Sequence, residues 1–178
     1  MEEKTRTTTV HSLYYGLMTG AALIILSLIL YISNLYMNRP LGYLSFAILA
    51  GGMVWGTLEY RKTYRNNFMT YGQAFSLCFL IGLFTAVVSA IFSYIFAEFI
   101  YPGLSQEILQ KAREEIENGG QQITEEQMEV ALDWTRKFTT PVMMAIMDLV
   151  MKVFSSVILA LLAALFLKRE DKSLNTTV

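Results

Sequence analysis

The chain has 178 residues, of which 54% are hydrophobic and 16% are charged, and its formal net charge is −1. Ordinary soluble domains carry roughly 25% charged residues, so this composition argues against a water-soluble protein. A net charge this close to zero also argues against nucleic-acid binding, which favours a strongly basic face.

Four long apolar segments predict an all-α membrane protein with four transmembrane helices. A hydrocarbon core of ~30 Å needs ~20 apolar residues in a helix, and Asp, Glu, Lys and Arg are absent from residues 7–38, 40–58, 66–97 and 153–167. The chain is therefore expected to form one transmembrane domain over residues 1–178. The predicted spans are Leu13–Tyr36, Leu41–Tyr60, Tyr71–Ile100 and Asp148–Leu167.

Short connections are predicted between the first three spans. Asn38-Arg39-Pro40 is expected to form a tight turn, because proline cannot continue a helix. So short a connection predicts that the first two spans form an antiparallel hairpin. The segment from Tyr60 to Phe68 is expected to be a short basic loop.

The distribution of Lys and Arg predicts the orientation of the spans, because basic residues in short segments favour the cytoplasmic side. One side carries Lys4, Arg6, Arg61, Lys62, Arg65, Lys168, Arg169 and Lys172; the other carries Arg39, Lys111, Arg113, Arg136 and Lys137. The second set lies mostly in a long acidic loop, which can be translocated. Both termini are therefore expected in the cytoplasm, in a multi-pass protein of a bacterial inner (plasma) membrane.

The loop over residues 102–140 is predicted to be an extracytoplasmic helical hairpin. Its first helix has apolar residues at four-residue spacing and is expected to end at Gly119-Gly120. Thr124 and Gln127 have the spacing of a capping box at the start of the second helix, and Ile123 with Met128 that of a hydrophobic staple. Pro141 is expected to begin the helix that leads into the fourth span.

Two ionisable residues lie four positions apart near the start of the fourth span. Asp148 and Lys152 are close enough on one helix face to form an ion pair, and ionisable residues within a span are functional candidates. However, Asp148 is expected at the outer interface, with Lys152 one turn inside, where its side chain can extend toward water. A structural role and a role in an ion or solute path are both open. Glu98, at the outer end of the third span, is a further candidate.

Small residues recur every four positions in all four spans, a pattern that lets helix backbones approach closely in lipid. They predict either packing among the four spans or a homodimer, and internal packing is favoured because four spans need several such contacts. The sets are Gly16 and Gly20; Gly52 and Gly56; Gly82, Ala86 and Ala90; and Ser156, Ala160 and Ala164.

The sequence does not favour an enzyme. His11 is the only histidine and is expected before the first span, and Cys78 is the only cysteine. These residues predict no histidine- or cysteine-based metal site and no His-activated nucleophile. No cofactor is expected, because no glycine-rich phosphate-binding motif is present.

The segment Tyr71-Gly72-Gln73-Ala74-Phe75 follows the basic loop and begins the third span. Together with four spans, Tyr101-Pro102 after the third span and an acidic helical loop, it resembles the bacterial family known as domain of unknown function 4199. The resemblance implies a bacterial inner-membrane protein and no assigned activity. It also marks Tyr71 and Gln73 as candidate functional residues. Tyr71 is suited to the inner interface, and Gln73 to hydrogen bonding between helices.

These observations predict a scaffold or accessory subunit that acts through helix packing and has no catalytic activity. Its expected partners are the lipid bilayer and a second copy or another membrane protein. The alternative is a small dimeric transporter or channel that uses Asp148, Lys152 and Glu98.

Overall fold

The computed structural model describes residues 2–118 and 124–169, and these residues form six α-helices and one π-helical segment. Four helical stretches are long and apolar enough to cross a membrane: Thr7–Ile32, Pro40–Tyr64, Tyr71–Ile100 and Pro141–Leu167. This confirms the prediction of an all-α chain with four candidate membrane spans. The helices are α1 (Glu2–Ile32), α2 (Arg39–Tyr64), α3 (Tyr71–Ile95), the π-helical segment (Phe96–Ile100), α4 (Leu104–Asn118), α5 (Glu125–Phe138) and α6 (Pro141–Leu167). The predicted helix end at Gly119-Gly120, the staple residue Ile123 and the basic Lys172 lie outside the described residues.

Helix α1 ends at Ile32, before the predicted limit at Tyr36. Asn34 has a positive φ of 53°, the left-handed conformation that often follows the last helical turn. The backbone N–H groups of Asn34 and Leu35 donate to the carbonyl oxygens of Tyr31 and Leu30 at 3.0 and 2.8 Å. This pair of bonds is the Schellman motif, which satisfies carbonyl groups that the helix end leaves open.

The predicted turn at Asn38-Arg39-Pro40 is wrong, because these residues begin α2. Asn38 has extended backbone angles and is the N-cap, and Pro40 lies in the first helical turn. Proline is well tolerated there because the N–H that it lacks has no acceptor inside the helix. The connection between α1 and α2 instead consists of residues 33–38.

The predicted basic loop is shorter than expected, because α2 continues to Tyr64. Arg61 and Lys62 lie in its last turn, where positive charge interacts favourably with the helix dipole. Asn66 and Asn67 adopt positive φ angles of 48° and 66° and reverse the chain before α3.

The described residues divide into two compact units, one within residues 1–89 and 150–178 and the other within residues 90–149. In the first, the small residues predicted to mediate packing lie against other helices of the same unit. A methyl group on Gly16 would lie 2.5 Å from Cβ of Phe84 in α3, and one on Gly56 would lie 2.8 Å from the Tyr15 ring in α1. Gly52 faces Thr19, and Gly82 faces Ser156 of α6, at similarly close range.

The interior of this four-span unit is apolar, with hydroxyl and thiol groups between the helices. Its core includes Leu49, Met53, Ile81 and Ala160, each at most 1% exposed. Large apolar side chains remain on the outer surfaces, including Phe166, which is 85% exposed. A surface of this kind is typical of helices that face lipid.

The second unit contains the π-helical segment, α4, α5 and the first part of α6. The structure confirms the predicted capping box: Thr124 accepts from the backbone N–H of Gln127, and the Gln127 side chain accepts from the backbone N–H of Thr124. Ser105 at the start of α4 donates to the Thr139 hydroxyl after α5, at 3.0 Å. The two helices therefore run in opposite directions. Pro141 begins α6, as predicted.

Candidate functional site

One end of the four-span unit, named here the basic end, is held together by two links between elements distant in sequence. Arg61 at the end of α2 donates from Nη1 to the carbonyl oxygen of Leu167, the last residue of α6, at 2.8 Å. Met69 and Arg169 exchange two backbone hydrogen bonds, each of 2.8 Å. These links place the last residues of α2, the loop before α3 and the end of α6 side by side. The basic end carries Arg61, Lys62, Arg65, Lys168 and Arg169.

An aromatic cluster at the basic end surrounds His11. The His11 ring centroid lies 4.6 Å from that of Tyr15, 5.1 Å from that of Tyr60 and 5.8 Å from that of Tyr64. Nε2 of His11 lies 2.9 Å from the carbonyl oxygen of Gly56, so this nitrogen donates. Contrary to the prediction that it precedes the first span, His11 lies within the apolar stretch Thr7–Ile32. It packs α1 against α2.

A cleft of about 470 Å³ opens at the basic end, within the four-span unit. Thr8 of α1 and Tyr60 of α2 form one side, and their hydroxyl groups lie 2.7 Å apart. Met69 and Leu77 contribute buried apolar surface, since they are 2% and 1% exposed. The remaining lining residues come from the loop before α3 and from its first two turns: Arg65, Thr70, Gly72, Gln73 and Ser76.

Arg65 gives the cleft a positive charge. It is the only charged residue among the described residues that line the cleft. Its guanidinium carbon lies 5.9 Å from the centroid of the Tyr60 ring, a distance typical of a cation–π contact. Its Nε atom is buried and makes no hydrogen bond with the residues that the structure describes. A buried N–H without an acceptor is costly, so an acceptor from outside the described residues would stabilise this side chain.

The segment that carries the family resemblance forms the start of α3. Thr70 and Gln73 make a second capping box: the Thr70 backbone N–H donates to Oε1 of Gln73 at 3.3 Å, and the Gln73 N–H donates to the Thr70 hydroxyl at 3.4 Å. The sequence predicts that Gln73 forms hydrogen bonds between helices. The hydrogen bonds that it makes are instead local to the start of α3. Tyr71 does join two helices, because its hydroxyl donates to the carbonyl oxygen of Leu161 in α6 at 3.3 Å.

The other predicted candidates lie on α6 and on the π-helical segment. Asp148 lies in the first part of α6, with its Oδ2 atom buried. Lys152 is half-buried one turn further along the same helix. Glu98 is exposed on the π-helical segment, a rare helix type that frequently occurs at functional sites.

The sequence reading missed most of the cleft. Thr70 and Gln73 have the same Thr-x-x-Gln spacing that identified the capping box at Thr124, so this local signal was present. The sequence around Arg65 indicates only the orientation of the spans. Thr8, Tyr60 and Ser76 carry no local signal, because only the packing of α1, α2 and α3 brings them together.

Comparison with known proteins identifies one match. A family model described as "Protein of unknown function (DUF4199)" matches residues 14–169, which cover all four candidate spans except the first residues of α1. No curated protein and no solved structure matches the chain.

Proposed function

Because the chain belongs to the DUF4199 family, whose members are described as proteins of unknown function, we propose a function from its own geometry. It is a non-catalytic accessory or scaffold protein of a bacterial inner membrane, with both termini in the cytoplasm. It works through its outer surfaces and the basic-end cleft, and its partners are the bilayer and a second copy or another membrane protein.

The observation that carries this proposal is the close packing inside the four-span unit. The glycines at 16, 52, 56 and 82 face other helices of the unit, at distances that leave no room for a methyl group. The buried hydroxyl of Thr85 donates to the carbonyl oxygens of Gly16 and Ile81 at 3.2 and 2.9 Å. Since these small residues pack helices of the same unit against one another, a partner can bind only to the outward-facing apolar side chains.

The basic end supports the proposed orientation. Arg61, Lys62 and Arg65 come from one short segment and Lys168 and Arg169 from another, and the two segments are joined by the Met69–Arg169 bonds. Short segments rich in Lys and Arg are retained on the cytoplasmic side. The hairpin of α4 and α5, with its acidic residues, then lies on the extracytoplasmic side.

Orientation is tested by cysteine labelling in intact cells with a membrane-impermeant maleimide. Glu115→Cys on α4 is expected to react from outside, and Lys62→Cys to react only after the cells are opened. Cys78 is buried, so it serves as an internal control that stays unlabelled. Labelling of Lys62→Cys in intact cells contradicts the proposed orientation.

The scaffold role is tested by site-specific photocrosslinking in native membranes. A photoreactive residue is placed at Phe154 or Phe166, which are 63% and 85% exposed, and at Ala160, which is fully buried. The exposed positions are expected to give a discrete protein adduct, of a second copy or of another membrane protein. The buried position is expected to give none. Lipid adducts alone at every exposed position contradict the proposal.

A further inference from the structure

We propose that the basic-end cleft binds a phosphate group. The phosphate belongs to the headgroup of an anionic phospholipid or to a soluble phosphate ester. This proposal deepens the proposed function by giving its cleft a ligand class. The possibility that the ligand is a lipid depends on the proposed function, which places the basic end at the inner leaflet. Binding of a soluble phosphate ester does not depend on it.

The charge of the cleft selects an anion. Among the described residues that form its wall, Arg65 is the only charged one, and none of the described carboxylates lies within ion-pair distance of it. The cation–π contact with the Tyr60 ring helps to position the guanidinium group at the cleft. Guanidinium groups bind phosphate through two parallel hydrogen bonds.

The polar groups around Arg65 include several donors. Ser76 and Thr70 contribute hydroxyl groups to the wall. Gln73 uses its carbonyl oxygen to cap α3, which leaves its amide nitrogen as a donor. Phosphate oxygens accept hydrogen bonds and do not donate when fully ionised, so a wall rich in donors matches them.

The backbone at the start of α3 adds to this match. Gly72 lines the cleft, and nothing lies within 4 Å of the position that its Cβ would occupy. A ligand can therefore approach the N–H groups of Tyr71 and Gly72 at the start of the helix, whereas those of Gln73 and Ala74 already bond to Thr70. The helix dipole also favours negative charge at this point.

The size and the apolar floor of the cleft agree with a headgroup ligand. Its volume of about 470 Å³ lies within the ~300–1,000 Å³ range of small-molecule sites. Buried Met69 and Leu77 provide apolar surface beside the donors. An anionic phospholipid presents the same combination, because its charged phosphodiester lies close to apolar acyl chains.

The test measures thermal unfolding of the full-length protein in neutral detergent during titration with four additives. These are phosphatidylglycerol, phosphatidylcholine, inorganic phosphate, and chloride at the same ionic strength. Phosphatidylglycerol or inorganic phosphate is expected to raise the unfolding temperature in a saturable way, beyond its neutral or chloride control. Saturation by phosphatidylglycerol alone identifies a lipid headgroup, saturation by inorganic phosphate alone identifies a soluble phosphate compound, and saturation by both identifies a phosphate site open to either source. If neither stabilises the protein, the inference is overturned, whereas the labelling and crosslinking tests of the proposed function are unaffected.

Three variants locate the effect. Arg65→Gln is expected to weaken binding at least about tenfold, as loss of a charge-assisted hydrogen bond requires. Gly72→Asp fills the open space with a carboxylate, so it is expected to abolish binding while the protein without ligand stays at least as stable. Lys62→Gln, a basic-end change outside the cleft, is expected to retain binding. An equal loss of binding in Arg65→Gln and Lys62→Gln would contradict a site in the cleft. Unchanged binding in Gly72→Asp would contradict it as well.

Discussion

Arg61 and Leu167 are separated by 106 positions in the sequence, and Nη1 of Arg61 donates to the Leu167 carbonyl oxygen at 2.8 Å. The bond joins the last turn of α2 to the last residue of α6. A carbonyl at a helix C-terminus has no partner within its own helix, and the helix dipole makes it a favourable site for a cation. Arg61 thus closes the end of α6 from another helix.

Replacing Arg61 with Gln is expected to lower the free energy of unfolding by about 2 kcal/mol, the scale of a hydrogen bond to a charged group. Thermal unfolding in detergent measures the change. Lys62→Gln is the matched control, because Lys62 is exposed in the same helical turn and its loss is expected to change the stability little. Equal stability of the two variants would show that the link is not a stabilising one.

Two adjacent glycines in α2 provide a direct test of packing between the spans. A methyl group on Gly52 would overlap the Thr19 side chain, whereas nothing lies within 4 Å of the corresponding position on Gly51. Gly52→Ala is therefore expected to destabilise the protein by about 1–3 kcal/mol through overpacking. Gly51→Ala is expected to be neutral or to stabilise α2 by up to about 1 kcal/mol through helix propensity. Unfolding in a denaturing detergent compares the stabilities of the two variants. A Gly51→Ala variant less stable than Gly52→Ala would contradict the observed orientation of α2, in which Gly52 faces α1.

The sequence predicts features whose cause is local. Four apolar runs and the Thr124 capping box depend on neighbouring residues, and the structure confirms both. The end of α1 at Ile32 was missed, because it depends on Asn34 adopting a left-handed conformation that other residue types adopt less readily. The sequence predicts a turn at Pro40, but proline is equally compatible with the first turn of a helix.

The candidate site was predicted only in fragments. Gln73 and Tyr71 were identified from the resemblance, but the cleft also needs Thr8 and Tyr60, which lie more than 50 positions apart. The small-residue pattern showed that helices pack closely but not which helices, because its spacing carries no information about the partner. That information depends on tertiary packing.

The capping box at the start of α5 gives a local stability test. Thr124→Ala removes the hydroxyl that accepts from the Gln127 N–H and is expected to cost about 1 kcal/mol. Because the cap acts on the first turn, amide hydrogen exchange should accelerate mainly at the start of α5. Thr124→Ser keeps the hydroxyl and is expected to exchange at close to the wild-type rate. Similar exchange in both variants would indicate that the cap does not determine the stability of this turn.

The bond between Thr8 and Tyr60 is suited to a double-mutant cycle. Their hydroxyl oxygens lie 2.7 Å apart at the edge of the cleft. Thr8→Val and Tyr60→Phe are each expected to lower the free energy of unfolding by about 0.5–1.5 kcal/mol. The double variant should lose less than the sum of the two, because the second change removes a group that has already lost its partner. Strict additivity would indicate that the bond does not contribute to stability.

The transport alternative depends on Asp148 and Lys152, and the length of α6 sets how deep they lie. A helix of 27 residues at ~1.5 Å per residue is about 40 Å long, about 10 Å more than the hydrocarbon core. If that excess is divided equally between the two ends, Asp148 lies about 5 Å inside the core and Lys152 about one turn deeper. From that depth the Lys152 side chain can extend toward the interface and bring its ammonium group to about the level of Asp148. Under the proposed scaffold role, proteoliposomes of the wild type, Asp148→Asn and Lys152→Met are expected to show the same ion leak as empty liposomes. Glu107→Gln with Lys111→Gln, which removes an exposed pair of 3.8 Å on α4, is the matched control for loss of charge. A wild-type flux that both α6 variants abolish and the α4 control retains would favour the transporter instead.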